Sequence, residues 1–164
     1  MPFTPFHFGP GAAVHAVAPR HVSFLAFCAA NVLIDVETLY FLLTDQFPWH
    51  RFFHTFMGAS LAALITVLLF MAARRAALYV KLPNVFGWQE LGVLPVVVGA
   101  AIGAYSHVVL DSMMHADVRP FAPFSAANPL LRVVPLGLFH WGCVAAGAAG
   151  LVLLGFRNVM RSSS

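Results

Sequence analysis

The chain has 164 residues, enough for one domain over residues 1–164, and is 60% hydrophobic but only 9% charged, against about 25% charged in ordinary soluble domains. That balance excludes an ordinary soluble enzyme and points to an integral membrane protein. The formal net charge of +3 is small and scattered, so there is no basic patch of the kind that binds nucleic acid.

The N-terminal run Met1-Pro2-Phe3-Thr4-Pro5-Phe6-His7-Phe8-Gly9-Pro10-Gly11 lacks a basic region and is broken by prolines. It does not read as a cleavable signal peptide. Residues 11–18 suit a short helix at the membrane face. Four long apolar stretches follow, at residues 23–43, 48–73, 91–114 and 134–155. Each is long enough to cross a bilayer, which takes about 20 residues. The expected fold is therefore all-α: a polytopic bundle of four transmembrane helices with a short N-terminal interfacial helix. Pro48 suits the first turn of the second span, where its missing N–H is harmless. Residues 74–90 and 116–132 are left as linkers. Cys28 and Cys143 fall inside apolar runs without finger spacing and read as inert thiols.

Basic residues set the expected orientation. Arg20, Arg74, Arg75, Lys81, Arg157 and Arg161 fall on one side, and Arg51, Arg119 and Arg132 on the other. This places both termini in the cytoplasm and the 116–133 loop outside. Small residues let helices approach closely in lipid. Gly99, Gly103, Ala100 and Ala104 offer such a face on the third span, and Gly142, Ala146 and Gly150 on the fourth.

The polar residues inside these spans are costly. An ionised Asp at mid-helix costs roughly 2.5–3.5 kcal/mol on insertion scales. His107, Asp111 and His115 recur at four-residue intervals, along one helical stripe. Asp35 lies about 18 Å along the first span and His107 about 24 Å along the third, counting ~1.5 Å per residue. His54 and His140 each lie about 9 Å into spans running the other way. Four spans thus bring polar residues to one layer, where a cation would offset the cost. Imidazole with carboxylate suits zinc first, and also manganese or iron.

Blander roles stand beside these. His107 and Asp111 can be a plain pair tying helices together, and His140 a helix–helix contact. His50 can be an interfacial residue, and His15 and His21 ordinary interface ones. His115 and Asp117 begin a loop and can simply be solvated. Glu37, two residues from Asp35, points to nearly the opposite side of its helix.

In chain order the polar residues form four short motifs: an early His7, the acidic pair Asp35-Val36-Glu37, His50-Arg51-Phe52-Phe53-His54-Thr55, and Ser106-His107-Val108-Val109-Leu110-Asp111. Over about residues 1–130 this order resembles the YdjM-type family, bacterial inner-membrane proteins described as LexA-regulated, predicted metal-dependent hydrolases. Glu37 stands where the family has Asp, Arg51 where it has Gly, and Phe53 where it has Thr. Many members carry Arg in place of His50, which leaves His54 the better ligand of the two. The order of Asp and His also looks similar, more distantly, to zinc phospholipases C.

Residues and resemblance together lead to a membrane-embedded metal hydrolase acting on a lipid or lipid-linked phosphoester. His54, His107 and Asp111 would bind the ion, with Asp35 and His7 completing the site or holding a second ion. Glu37, His50 or His115 would act as general base, and the choice among them is open. Arg119, in the loop over the mouth, is a candidate anion anchor. The alternative is a non-enzymatic ion or proton conductor using the same cluster. A bundle binding haem through two histidines is a third reading, which the Asp residues fit poorly. The oligomeric state is left open.

Overall fold

In the computed structural model, residues 5–162 are described. Residues 1–4, part of the run read as no signal peptide, lie outside them. Five helices follow one another: α1 (Pro5–Val17), α2 (Phe24–Leu43), α3 (Phe56–Ala76), α4 (Val93–Met114) and α5 (Leu136–Ser162). Short 3-10 helices at Phe52–His54 and Val85–Glu90 precede α3 and α4. There is no strand among the described residues. Four helices, α2 to α5, are long and apolar enough to cross a membrane.

Two helix starts are set by side-chain caps, which satisfy N–H groups left over in the first turn. Ser23 accepts from the Ala26 amide at 3.2 Å and begins α2 where the sequence places it. Thr55 accepts from the Gly58 amide at 2.9 Å and begins α3 at Phe56. The second span was expected from Pro48, so this is a correction. The stretch before Thr55 is held as a loop. Arg51 donates to the carbonyls of Pro48 at 2.9 Å and Gln46 at 3.2 Å and lies over the Phe41 ring at 3.6 Å. Glu37 accepts the Phe53 amide at 2.8 Å. His54 therefore sits on the turn at the mouth of α3, not one and a half turns inside it. Gly58 makes the tight turn possible, because a Cβ there would fall on the Phe52 carbonyl.

α2, α3 and α4 form the centre of the bundle. An apolar cluster of Ala30, Ile34, Ala59, Ala62, Ala104 and Val108 fills the space between them near the mouth. The expected small-residue face on α4 is real: Gly103 packs on the backbone of Phe27 and Gly99 on that of Ser23. On α5 the expectation holds only in part. Gly150 packs on Ala12, but Gly142 is exposed and meets nothing within 4 Å.

α1 is longer than the expected 11–18 helix and starts earlier. It runs alongside α5 in the same direction. Gly9 lies on the Cys143 carbonyl, Ala12 on Gly150, and Arg157 donates to the Ala16 carbonyl. The described chain therefore begins at the level where α4 ends and finishes at the level where α2 begins. Four spans alone would bring both ends to one side, as expected for two cytoplasmic termini; α1 adds a further partial crossing, so the described chain does not start and finish at one level.

Candidate metal centre

Three chain segments deliver the site. α2 carries Asp35, the 3-10 turn carries His54, and α4 carries His107 and Asp111 one turn apart. Ligand atoms of these four residues all lie within 4.8 Å of one another. His54 and His107 are fully buried and Asp111 is 4% exposed. His54 Nε2 lies 3.2 Å from Asp111 Oδ2, and His107 Nε2 lies 3.4 Å from the same oxygen. His107 Nε2 is also 3.3 Å from Asp35 Oδ1 and 3.3 Å from His54 Nε2. α1 adds His7, whose Nε2 approaches the other oxygen of Asp111 at 3.2 Å.

The tautomer of His107 decides what this crowd of atoms means. The Asn31 amide nitrogen donates to the Phe27 carbonyl at 2.8 Å and reaches the Gly103 carbonyl at 3.4 Å. Its oxygen must then face His107 Nδ1, at 2.9 Å, as an acceptor. A neutral ring so held keeps its proton on Nδ1 and turns the Nε2 lone pair toward the two carboxylates. Acceptors then converge on acceptors, an arrangement that a bound cation resolves. His7 Nε2 and His54 Nδ1 are buried with no hydrogen bond of good geometry among the described residues. Two carboxylates and neutral imidazoles also supply the charge and ligand type that a divalent transition metal takes. The residues fit such an ion, and a ring partner like Asn31 is what commonly orients a metal-binding histidine.

Replacing Asn31 by Leu should release the His107 ring and weaken metal binding by about 10–100-fold, the usual range for such partners. Zinc titration of the stripped protein checks this, and an unchanged affinity would show that Asn31 does not orient the ring.

The other predicted residues fall in three places. His50 and His115 stand at the mouth, their rings stacked at 4.4 Å, and His50 Nε2 lies 3.9 Å from Asp111 Oδ2. Glu37 is spent on the Phe53 amide and braces the turn that carries His54. Arg119 is exposed and lines a cavity of about 370 Å³ with His50, Thr55, Met57 and Asp117. His140 does not join the layer. It packs against the Phe6 ring at 4.8 Å, because α1 lies along α5 and brings His7 to the cluster in its place. His15 meets the Val22 carbonyl at 2.8 Å, as an ordinary turn contact.

Two residues that contact the cluster's imidazoles escape the sequence reading. Asn31 was visible in principle: it sits four residues before Asp35, on the same stripe of an apolar helix. Asp117, which can read as a solvated loop residue, faces His50 Nδ1 at 2.9 Å and accepts the amides of Trp49 and His50 at 3.2 and 3.3 Å. No local spacing betrays a pair 67 positions apart. Burial by itself would raise the Asp117 pKa, but the His50 ring and amide outweigh it and hold the carboxyl below its usual value. Burial holds His115 below the usual imidazole value, so it favours the neutral form.

Fold and site together define a polytopic membrane protein with a buried His/Asp constellation able to hold a metal ion. The family follows from the whole chain. Residues 3–162 match the family model described as YdjM inner membrane protein, and the chain belongs to that family. The match continues through α5, well past residue 130 where the motif resemblance ends. No curated protein and no solved structure matches the chain.

Proposed function

We propose that the chain is a membrane-embedded, metal-dependent hydrolase acting on a phosphoester of a lipid or lipid-linked substrate. One observation carries the reading: ligand atoms of Asp35, His54, His107 and Asp111, drawn from α2, the turn before α3 and α4, meet within 4.8 Å. These four would hold the ion, with zinc first among the candidates, and His7 would steady Asp111 from α1. When bound, the ion supplies Lewis acidity, which polarises a scissile P–O bond and makes water more acidic. The cavity beside His50 offers largely apolar walls and the Arg119 guanidinium, a fit for an acyl chain with an anionic headgroup. Of the three candidate bases, His50 and His115 face the cluster, whereas Glu37 serves the turn. With Arg20, Arg74, Arg75, Lys81 and Arg157 at the cytoplasmic end, the cluster lies in the outer half of the bacterial inner membrane.

Contacts between imidazoles favour a second reading. His7 Nδ1 lies 3.1 Å from His107 Nδ1, and His54 and His50 continue the series with ring centroids 4.6 Å apart. Such a run suits a proton relay. The two readings separate in one experiment on detergent-purified protein and proteoliposomes. Hydrolysis of phospholipid or a small phosphodiester should require a divalent metal, stop with EDTA, and fall to background in His107→Ala. Metal-independent proton flux that Asp111→Asn abolishes, with no hydrolysis, would reject the hydrolase in favour of the relay.

A further inference from the structure

In the four-residue group, His54 and His107 approach Oδ2 of Asp111. A second group, His50, Asp111 and His115, also brings its ligand atoms within 4.8 Å of one another. The two groups share Asp111 and no other residue. His50 comes from the loop before α3 and His115 from the end of α4, so the second group is built at the mouth by different chain segments.

His50 is held as a ligand is held. Both oxygens of Asp117 lie 2.9 Å from its Nδ1. Asp117 itself accepts two backbone amides and has acceptor capacity only for donors, so the His50 proton resides on Nδ1. The Nε2 lone pair then faces Asp111 Oδ2, 3.9 Å away. That is too long for a hydrogen bond and again sets acceptor against acceptor. His115 stacks on His50 with ring planes only 26° apart, and its ring is half-buried at the same mouth. A carboxylate on the far ring nitrogen of an imidazole is the usual arrangement behind a metal-bound histidine.

We propose that His50, His115 and Asp111 form a second divalent-cation site, so that Asp111 bridges two ions in a dinuclear centre. The inference rests on the metal reading given above and extends it. The second site has three protein ligands in place of four and opens toward the cavity lined by Arg119. It is therefore the weaker and the more accessible of the two, placed to meet a substrate phosphate. His50 and His115 are ligands in this arrangement, not general bases, and Asp117 is the positioning residue that fixes His50. Two ions in one site serve phosphoester chemistry by stabilising both the attacking and the leaving oxygen.

The test is metal stoichiometry and coupling in the full chain, purified in detergent and loaded with Zn²⁺ or Mn²⁺. Wild type should bind two ions per chain, and Mn²⁺-loaded protein should give an exchange-coupled paramagnetic resonance signal. His115→Ala and His115→Gln should each bind one ion and give the signal of an isolated ion, with unchanged elution on size exclusion. Asp117→Asn should weaken only the second, looser ion by about 10–100-fold. One ion in wild type, or two in both His115 variants, overturns the second site and leaves the first intact. No bound ion in wild type overturns the metal reading itself.

Discussion

Asp111→Asn should strip the protein of metal and reduce hydrolysis to background while leaving the helix bundle folded. Asp111 is the point on which the cluster converges. Its Oδ2 faces His54, His107 and His50 at 3.2, 3.4 and 3.9 Å, and its Oδ1 faces His7 at 3.2 Å. Asparagine keeps the shape, removes the charge and replaces one acceptor by a donor. An ion would lose a ligand and half of the formal negative charge that Asp35 and Asp111 provide. Polarisation by a metal is worth several kcal/mol of transition-state stabilisation, so turnover should fall on the order of 10³-fold or more. Stability should move differently. Wild type should gain thermal stability on adding Zn²⁺, as any ligand of the folded state provides, and the variant should not. A variant that still binds stoichiometric metal would remove Asp111 from the site.

Gly103→Val should cost both stability and metal, although residue 103 touches no ion. A Cβ at Gly103 would lie 2.5 Å from the Phe27 carbonyl oxygen and 3.0 Å from its Cα. These are backbone atoms, so α2 and α4 must part. Overpacking of this kind costs typically about 1–3 kcal/mol. Parting these helices also separates Asn31 and Asp35 on α2 from His107 on α4. The Asn31 contact with the Gly103 carbonyl, at 3.4 Å, lies in the same seam. Lower metal content should therefore accompany the lower melting temperature. Gly142→Val is the control, since nothing lies within 4 Å of a Cβ there. It should leave both quantities unchanged. Equal behaviour of the two variants would show that the α2–α4 seam does not set the site.

Much of the site was legible in the chain. Asp35, His54, His107 and Asp111 stood out because ionisable residues in apolar helices are costly and need a reason. The i, i+4 spacing of His107 and Asp111 put them on one face. His54 was found for a partly wrong reason. Counting from Pro48 placed it deep in a helix, but the cap at Thr55 places it on a turn at the mouth. His140 was grouped with the cluster by counting depth along α5. Depth along one helix says nothing of rotation about it or of what lies between helices.

Hydropathy and helical period thus determined the number of spans and most of the polar residues that meet between them, because both follow from the local cost of burying polar groups in lipid. Only the tertiary structure decided that α1 stands along α5 and delivers His7, that Asn31 fixes the His107 tautomer, and that Asp117 fixes His50. Those contacts join residues 67 to 141 positions apart, and contacts across such separations depend on how whole helices pack. No periodicity in the chain encodes them.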